Sequence, residues 1–234
     1  MKNFVSIIIP TYNEGKNLEN TLKAIRNQDY KKYEIIVSDS KSKDRTRTIA
    51  KKYRAKVVVD ERRGIGAGRN FGAKFAKGDI LLFVDADTVM MMNTVSEIVQ
   101  SFSQNKVVGV TCPVIPLKPT IRNLALYLFF NKFSEASIKS KNPYVAGICV
   151  AYKKKNFLSI GGFDEKLAAA EDLDMSQRIS KLGKIIFNNK TFVLTSPRRF
   201  EKWGHLRSTQ KYLKIFLKYL AGKKISMKEY KPIR

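Results

Sequence analysis

Five short apolar runs, rich in β-branched residues, punctuate the first half of the chain and constrain its fold more tightly than any other feature: FVSIII (4–9), EIIVS (34–38), KVVV (56–59), ILLFV (80–84) and VVGVT (107–111). Between them lie segments whose apolar residues recur at helical spacing, such as Leu18, Leu22 and Ile25. A strand that is apolar at successive positions, not alternate ones, has to be covered on both faces. Strands of that kind alternating with helices therefore predict an α/β architecture: a mixed, mostly parallel sheet flanked by helices. Ligands bind such sheets just beyond the carboxyl ends of the strands. Pro10 to Glu14, Asp39, Asp60 and Asp85 to Asp87 stand at those positions, so four successive strands deliver carboxylates to one edge.

The second half is less regular. It contains an amphipathic stretch with the apolar run LALYLFF (124–130), a strand GICVAY (147–152), a turn GGFDE (161–165), a helix from about 171 to 182, and two short strands, KIIFN (184–188) and TFVLT (191–195). From 198 to 234 the composition shifts to twelve Lys or Arg against two Glu. There Tyr212, Ile215, Phe216, Tyr219 and Leu220 fall on one side of a basic amphipathic helix. These shifts divide the chain into a regular half over 1–112, a less regular half over 113–197 and a basic helical extension over 198–234.

At 234 residues and 44% hydrophobic, the chain can bury a substantial core, which excludes a disordered chain. A formal net charge of +25 exceeds what solubility needs and calls for an anionic partner: nucleic acid, anionic lipid or a sugar nucleotide. Cys112 and Cys149 both sit in apolar runs and are expected to be buried thiols in a reducing compartment. The N-terminal apolar run ends at Pro10, too soon for a signal core. No segment reaches the ~18 apolar residues of a membrane span. A cytoplasmic protein lying on the inner face of the membrane is the expectation.

Asp85-Ala86-Asp87 directly follows the most hydrophobic strand and is expected to precede a helical segment. Two carboxylates one residue apart at a strand end can share a divalent ion whose other positions are left for phosphate oxygens, as Mg²⁺ and Mn²⁺ prefer. Capping and turn formation are the commoner use of such a pair. A second acidic pair, Glu171-Asp172, opens a helix shortly after GGFDE, where the helix macrodipole alone also favours it.

Taken together, IIIPTYNEGKNLENTL, VSDSKSKDRT, GIGAGRNFGAKFAKGDILLFVDADT and GGFDEKLAAAEDLDMSQRISKLG resemble, in order and spacing, the inverting family 2 glycosyltransferases of GT-A fold, over roughly residues 4 to 197. The resemblance implies a Rossmann-like nucleotide-diphospho-sugar transferase using Mg²⁺ or Mn²⁺. Its donor would be a nucleotide sugar, UDP before GDP, and its acceptor a glycan or a lipid-linked hydroxyl. It implies that Pro10, Tyr12 and Glu14 frame the base and ribose, that Asp39 hydrogen-bonds the base, and that Asp85 lies near the ribose and donor sugar. Asp87 ligates the metal, Asp172 acts as general base and Glu171 orients it or the acceptor. Arg69, in a Gly-rich stretch with Asn70, is expected to meet the diphosphate, and Arg178 the diphosphate or a carboxylate. His205, Arg198 and Arg199 are candidates for the metal or diphosphate, with a solvated basic loop as the alternative. Asp44 with Thr46 reads as a helix start, and Asp60 as a turn or an edge-of-site contact.

Two other functions compete. A sugar nucleotidyltransferase would need a Gly-rich phosphate loop after the first strand, which PTYNEGKN does not supply. A non-catalytic nucleic-acid module would explain the charge, but carboxylates gathered at strand ends would repel its phosphates, so no nucleic-acid partner is expected.

Overall fold

A computed structural model describes residues 3–62 and 64–223. In chain order the elements are β1 (Val5–Thr11), α1 (Leu18–Arg26), β2 (Tyr33–Asp39), α2 (Thr46–Lys52), β3 (Lys56–Val59), α3 (Ile65–Lys74), β4 (Ile80–Val84), β5 (Thr88–Met90), α4 (Thr94–Ser101) and β6 (Val107–Thr111). There follow β7 (Val114–Pro116), α5 (Ile121–Lys139), β8 (Cys149–Lys153), α6 (Lys154–Ser159), α7 (Glu171–Ser180), β9 (Lys184–Phe187), β10 (Val193–Thr195), α8 (Arg198–Trp203) and α9 (His205–Leu220). The main sheet has the order β3-β2-β1-β4-β8-β6-β9, with β8 antiparallel to both neighbours and every other pairing parallel.

The strands bury both faces, as their continuous apolar runs require. Val5, Ile7, Ile9, Leu82 and Val84 join one hydrophobic cluster, together with Leu18, Leu22 and Ile25 of α1. Ile8, Ile36, Leu81 and Phe83 join another on the opposite side, with Tyr152, Phe157 and Phe163. Each such side chain contributes about 1.5–3 kcal/mol relative to an exposed one. Helix α3 lies close on the sheet because Gly72 has no side chain; a Cβ there would stand 2.5 Å from the Ile8 Cγ2. The two cysteines are buried neighbours with free thiols, and hydrogen bonding with Cys112, then burial, pushes the Cys149 thiol up.

One expectation is corrected. The residues after Asp87 form β5, and a helix begins only at Thr94. Strand β5 belongs to a second, three-stranded sheet, β5-β10-β7, whose members are three residues each. Segments that short carry no readable periodicity, and their pairing partner, β10, lies far along the chain. Within the described residues the basic C-terminal segment is two helices, α8 and α9, which meet at Gly204 with φ 79°. Residues 224–234 of that expected extension lie outside the described residues. No helix among the described residues is long and apolar enough to cross a membrane.

Candidate active site

The site is organised by two guanidinium groups. The first is Arg69, on α3 and 1% exposed. It donates to Asp85 Oδ1 at 3.0 Å, to Glu171 Oε1 at 2.9 Å and to the Gly147 carbonyl at 2.7 Å, and it stacks 5.2 Å from the Phe163 ring. A Cβ on Gly147 would lie 2.6 Å from the guanidinium nitrogens, so the glycine makes this approach possible. One residue thereby fastens the end of β4 to the start of α7, although Asp85 and Glu171 are far apart in sequence. Arg69 was expected at the diphosphate; in this structure its polar contacts are with two carboxylates and a carbonyl, because a buried cation needs fixed counter-charges more than a solvated ligand.

The second is Arg198, at the first position of α8. It forks onto Glu14, with its two terminal nitrogens 2.9 and 2.8 Å from the carboxylate oxygens, while its Nε lies 3.0 Å from Asp87 Oδ2. Glu14 is 2% exposed, so this parallel pair of bonds is largely screened from water. The Asp87 backbone is fixed as well, its carbonyl accepting from Ser196 N–H at 3.3 Å, while Asp85 N–H donates to the Ile148 carbonyl at 3.0 Å. Burial pushes the Asp87 carboxyl up to about 6, against the pull of Arg198. Asp85 and Glu171 are likewise raised, by burial first; Arg69 opposes both shifts, and the Asp172 charge adds to both.

Asp172 stands beside Glu171 at the N-terminus of α7, half-buried. Its Oδ2 accepts from Gly147 N–H at 2.8 Å and its Oδ1 from Leu173 N–H at 2.9 Å. Gly147 thus holds Arg69 through its carbonyl and Asp172 through its N–H. The residue ahead of the pair, Ala170, has φ 65°, a left-handed conformation that costs a residue with a side chain about 1–3 kcal/mol. The GGFDE turn is clipped in place from two sides. Asn70 exchanges hydrogen bonds with Phe163, at 2.8 and 2.9 Å, and Arg178 donates to the carbonyls of Ile160 and Gly162 while pairing with Asp174 at 2.6 Å. Arg178 therefore reaches a carboxylate, but that of Asp174.

Asp39 is fully buried at the end of β2, and its oxygens accept from the Thr11 hydroxyl at 3.0 Å, from Ser42 N–H at 2.9 Å and from the Ser42 hydroxyl. Here it braces the loops after β1 and β2. Asp44 caps in two directions, accepting from Thr46 N–H at 3.0 Å and from Gly15 N–H at 2.9 Å. Asp60 is held by Arg62 at 2.8 Å, and Arg62 also reaches Glu165 at 2.6 Å, which makes its role that of a turn brace. Pro10 and Tyr12 are half-buried at the β1 end. His205 Nε2 lies 2.6 Å from Asn123 Oδ1, and its ring stacks on Phe200; ligation of a metal through Nε2 would require that bond to be given up. Sequence reasoning left Arg198 among three candidates and missed Gly147 altogether, although a glycine opening the apolar run GICVAY was the available signal.

Among the described residues no three His, Cys, Asp or Glu side chains converge as a metal-binding group. The donor set nevertheless fits Mg²⁺ or Mn²⁺, because such ions take one or two protein carboxylates and complete their shell with water and phosphate. Asp87, half-buried at the sheet edge with one carboxylate oxygen on Arg198, could hold one once that guanidinium moves aside.

The chain matches the family described as glycosyl transferase family 2 over residues 6–161 and belongs to that family. It is 30% identical over 193 residues to the O-antigen chain rhamnosyltransferase WbaN of Salmonella anatum, covering 76% of this chain and 61% of that protein. Over 107 residues it is 32% identical to a GalNAc(5)-diNAcBac-PP-undecaprenol beta-1,3-glucosyltransferase of Campylobacter jejuni, covering 43% of this chain and 35% of that one. The solved mannosyltransferase of Pyrobaculum calidifontis, in complex with GDP-Man and Mn²⁺, superposes with a TM-score of 0.75 at 24% identity over 97% of this chain and 66% of its own. The fold is thus that of the GT-A glycosyltransferases. The chain spans about three fifths of the length of several such relatives.

Proposed function

We propose that the protein transfers a sugar, with inversion, from a nucleoside diphosphate donor to an acceptor hydroxyl, with Asp172 as general base. The observation that carries the reading is the double clamp: Arg69 joins Asp85 to Glu171 and its neighbour Asp172, while Arg198 joins Asp87 to Glu14. Three separate stretches of chain, at Glu14, at Asp85 and Asp87, and at Glu171 and Asp172, bring acidic groups to one edge of the sheet, more than two guanidinium groups neutralise, which suits a site for a further cation or a cationic transition state.

In the forward step the acceptor oxygen attacks the anomeric carbon from the face opposite the diphosphate. Its proton passes to Asp172 as the carbon–oxygen bond forms and the bond to the phosphate oxygen breaks. Glu171, locked by Arg69, fixes the orientation of Asp172. Arg198 leaves Asp87 and Glu14 for the departing diphosphate, offering it the fork that it offers Glu14 here. A divalent cation held by Asp87 supplies Lewis-acid neutralisation of the leaving group when bound. Pro10, Tyr12 and Glu14 border the base and ribose, and Asp39 shapes that border from behind.

UDP is the preferred nucleotide, with GDP second. The acceptor is a glycan or a lipid-linked hydroxyl, reached from the cytoplasmic face of the membrane; the relative named for an undecaprenol-linked substrate supports that choice. A thermal-shift panel of UDP and GDP with and without Mn²⁺ tests the reading. Stabilisation by a nucleotide only when metal is present is expected, and no response to any pair overturns it.

A further inference from the structure

Two neighbouring helices turn apolar side chains outward. On α9, Leu206 is 73% exposed, Leu213 and Leu217 are each 55% and Leu220 is 53%. Their spacing places all four on one stripe of a 3.6-residue helix. On α5, Ile121 is 88% exposed and Phe129 62%. Neither stripe is a failed core face, because the packing faces of both helices are accounted for. Tyr212 meets Phe130 at 6.3 Å and Phe200 at 5.8 Å; Phe216 stands edge-on to Phe133 at 5.8 Å and to Tyr144 at 5.0 Å. Ile215 and Tyr219 pack against Ala169 and Ala170. The leucines are what remains after the helix has docked.

The charges around them identify the occupant. Helix α9 carries no acidic residue, and Arg207, Lys211, Lys214 and Lys218 lie about a third of a turn round from the leucine stripe, a sector separate from it. A second copy of a chain with net charge +25 would be repelled by that basic flank, and a neutral apolar partner would leave it unused. A surface that is apolar at depth and anionic at its boundary satisfies both sectors.

We propose that α5 and α9 form the face on which the protein rests against an anionic lipid bilayer, with the leucines at the acyl boundary and the basic flank against headgroup phosphates. The proposal rests on the transferase reading for its purpose. Ile215 and Tyr219 of α9 pack against Ala169 and Ala170, directly ahead of Glu171 and Asp172, so a bilayer under α9 would hold the acceptor side of the cleft at the membrane surface.

Vesicle flotation tests it, using phosphatidylcholine alone and phosphatidylcholine with about one third phosphatidylglycerol. The wild-type protein is expected on the anionic vesicles only and to come off as salt rises. Leu213→Gln with Leu217→Gln should weaken binding at least about tenfold, and each of Lys214→Gln and Lys218→Gln about fivefold. Failure to float with anionic vesicles, equal binding to neutral ones, or leucine variants that bind like wild type each overturn the proposal, as does a wild-type dimer that those variants dissociate. All variants are expected to keep metal-dependent nucleotide binding; its loss from the wild type would instead count against the transferase reading.

Discussion

Arg69 and Arg198 differ in what their loss should do. Removing Arg69 leaves the buried Glu171 without its ion-pair partner and takes one from the half-buried Asp85, and breaking a buried pair of this kind costs about 3–5 kcal/mol. Arg69→Met should therefore lower the denaturant midpoint severely, and Gly147→Ala should follow it in part, because the new methyl claims the space of the guanidinium. Arg198 is partly exposed, so Arg198→Ala should cost less, roughly 1–3 kcal/mol. With its competing guanidinium gone, Asp87 should bind Mn²⁺ more tightly without nucleotide but the diphosphate more weakly, which titration calorimetry can separate. At this scale the carboxylates were legible from the sequence, since a strand end followed by Asp, or a helix start with two acids, is a local signal. The identity of the clamps was not. Which acid a given arginine meets depends on contacts across more than a hundred residues, as between Arg69 and Glu171 or between Arg198 and Glu14.

The elements follow the same division. Long apolar strands and α1 were readable because burial on two faces, or on one helical stripe, imposes a pattern within a single window. Strands β5, β7 and β10 were not, because three residues cannot show a period and their pairing is non-local. The element that presents Asp172 carries a strain that the sequence did not advertise. Ala170 sits at φ 65° immediately before α7, so Ala170→Gly should relieve it and stabilise the fold by about 0.5–1 kcal/mol in chemical denaturation. If the strain also aims Asp172, the more stable variant should turn over more slowly with its KM little changed.

For the whole molecule, the acidic cluster ties stability and loading to pH in opposite senses. The folded Asp87 holds its proton up to about pH 6 while the unfolded chain releases it near 3.8, so the cluster's contribution is full below the unfolded value and declines as pH rises through about 6. Loading a cation requires the ionised form, so stabilisation by Mn²⁺ with UDP should be full above about pH 7 and shrink as pH falls below 6, which thermal shifts across pH can follow. The mixed sheet, its helical cover and the edge that carries the acids were all foreseeable; the antiparallel β8 at its centre and the split C-terminal helices were not, since both are settled by contacts between distant segments. The central claim is that metal loading and proton removal are divided between Asp87 and Asp172. The most direct measurement compares Mn²⁺-dependent UDP binding and sugar transfer in Asp87→Ala and Asp172→Asn. The account predicts that the first variant loses nucleotide binding, while the second binds like wild type and transfers about 10²–10⁴-fold more slowly. Equal loss of binding in both, or transfer surviving in Asp172→Asn, would contradict it.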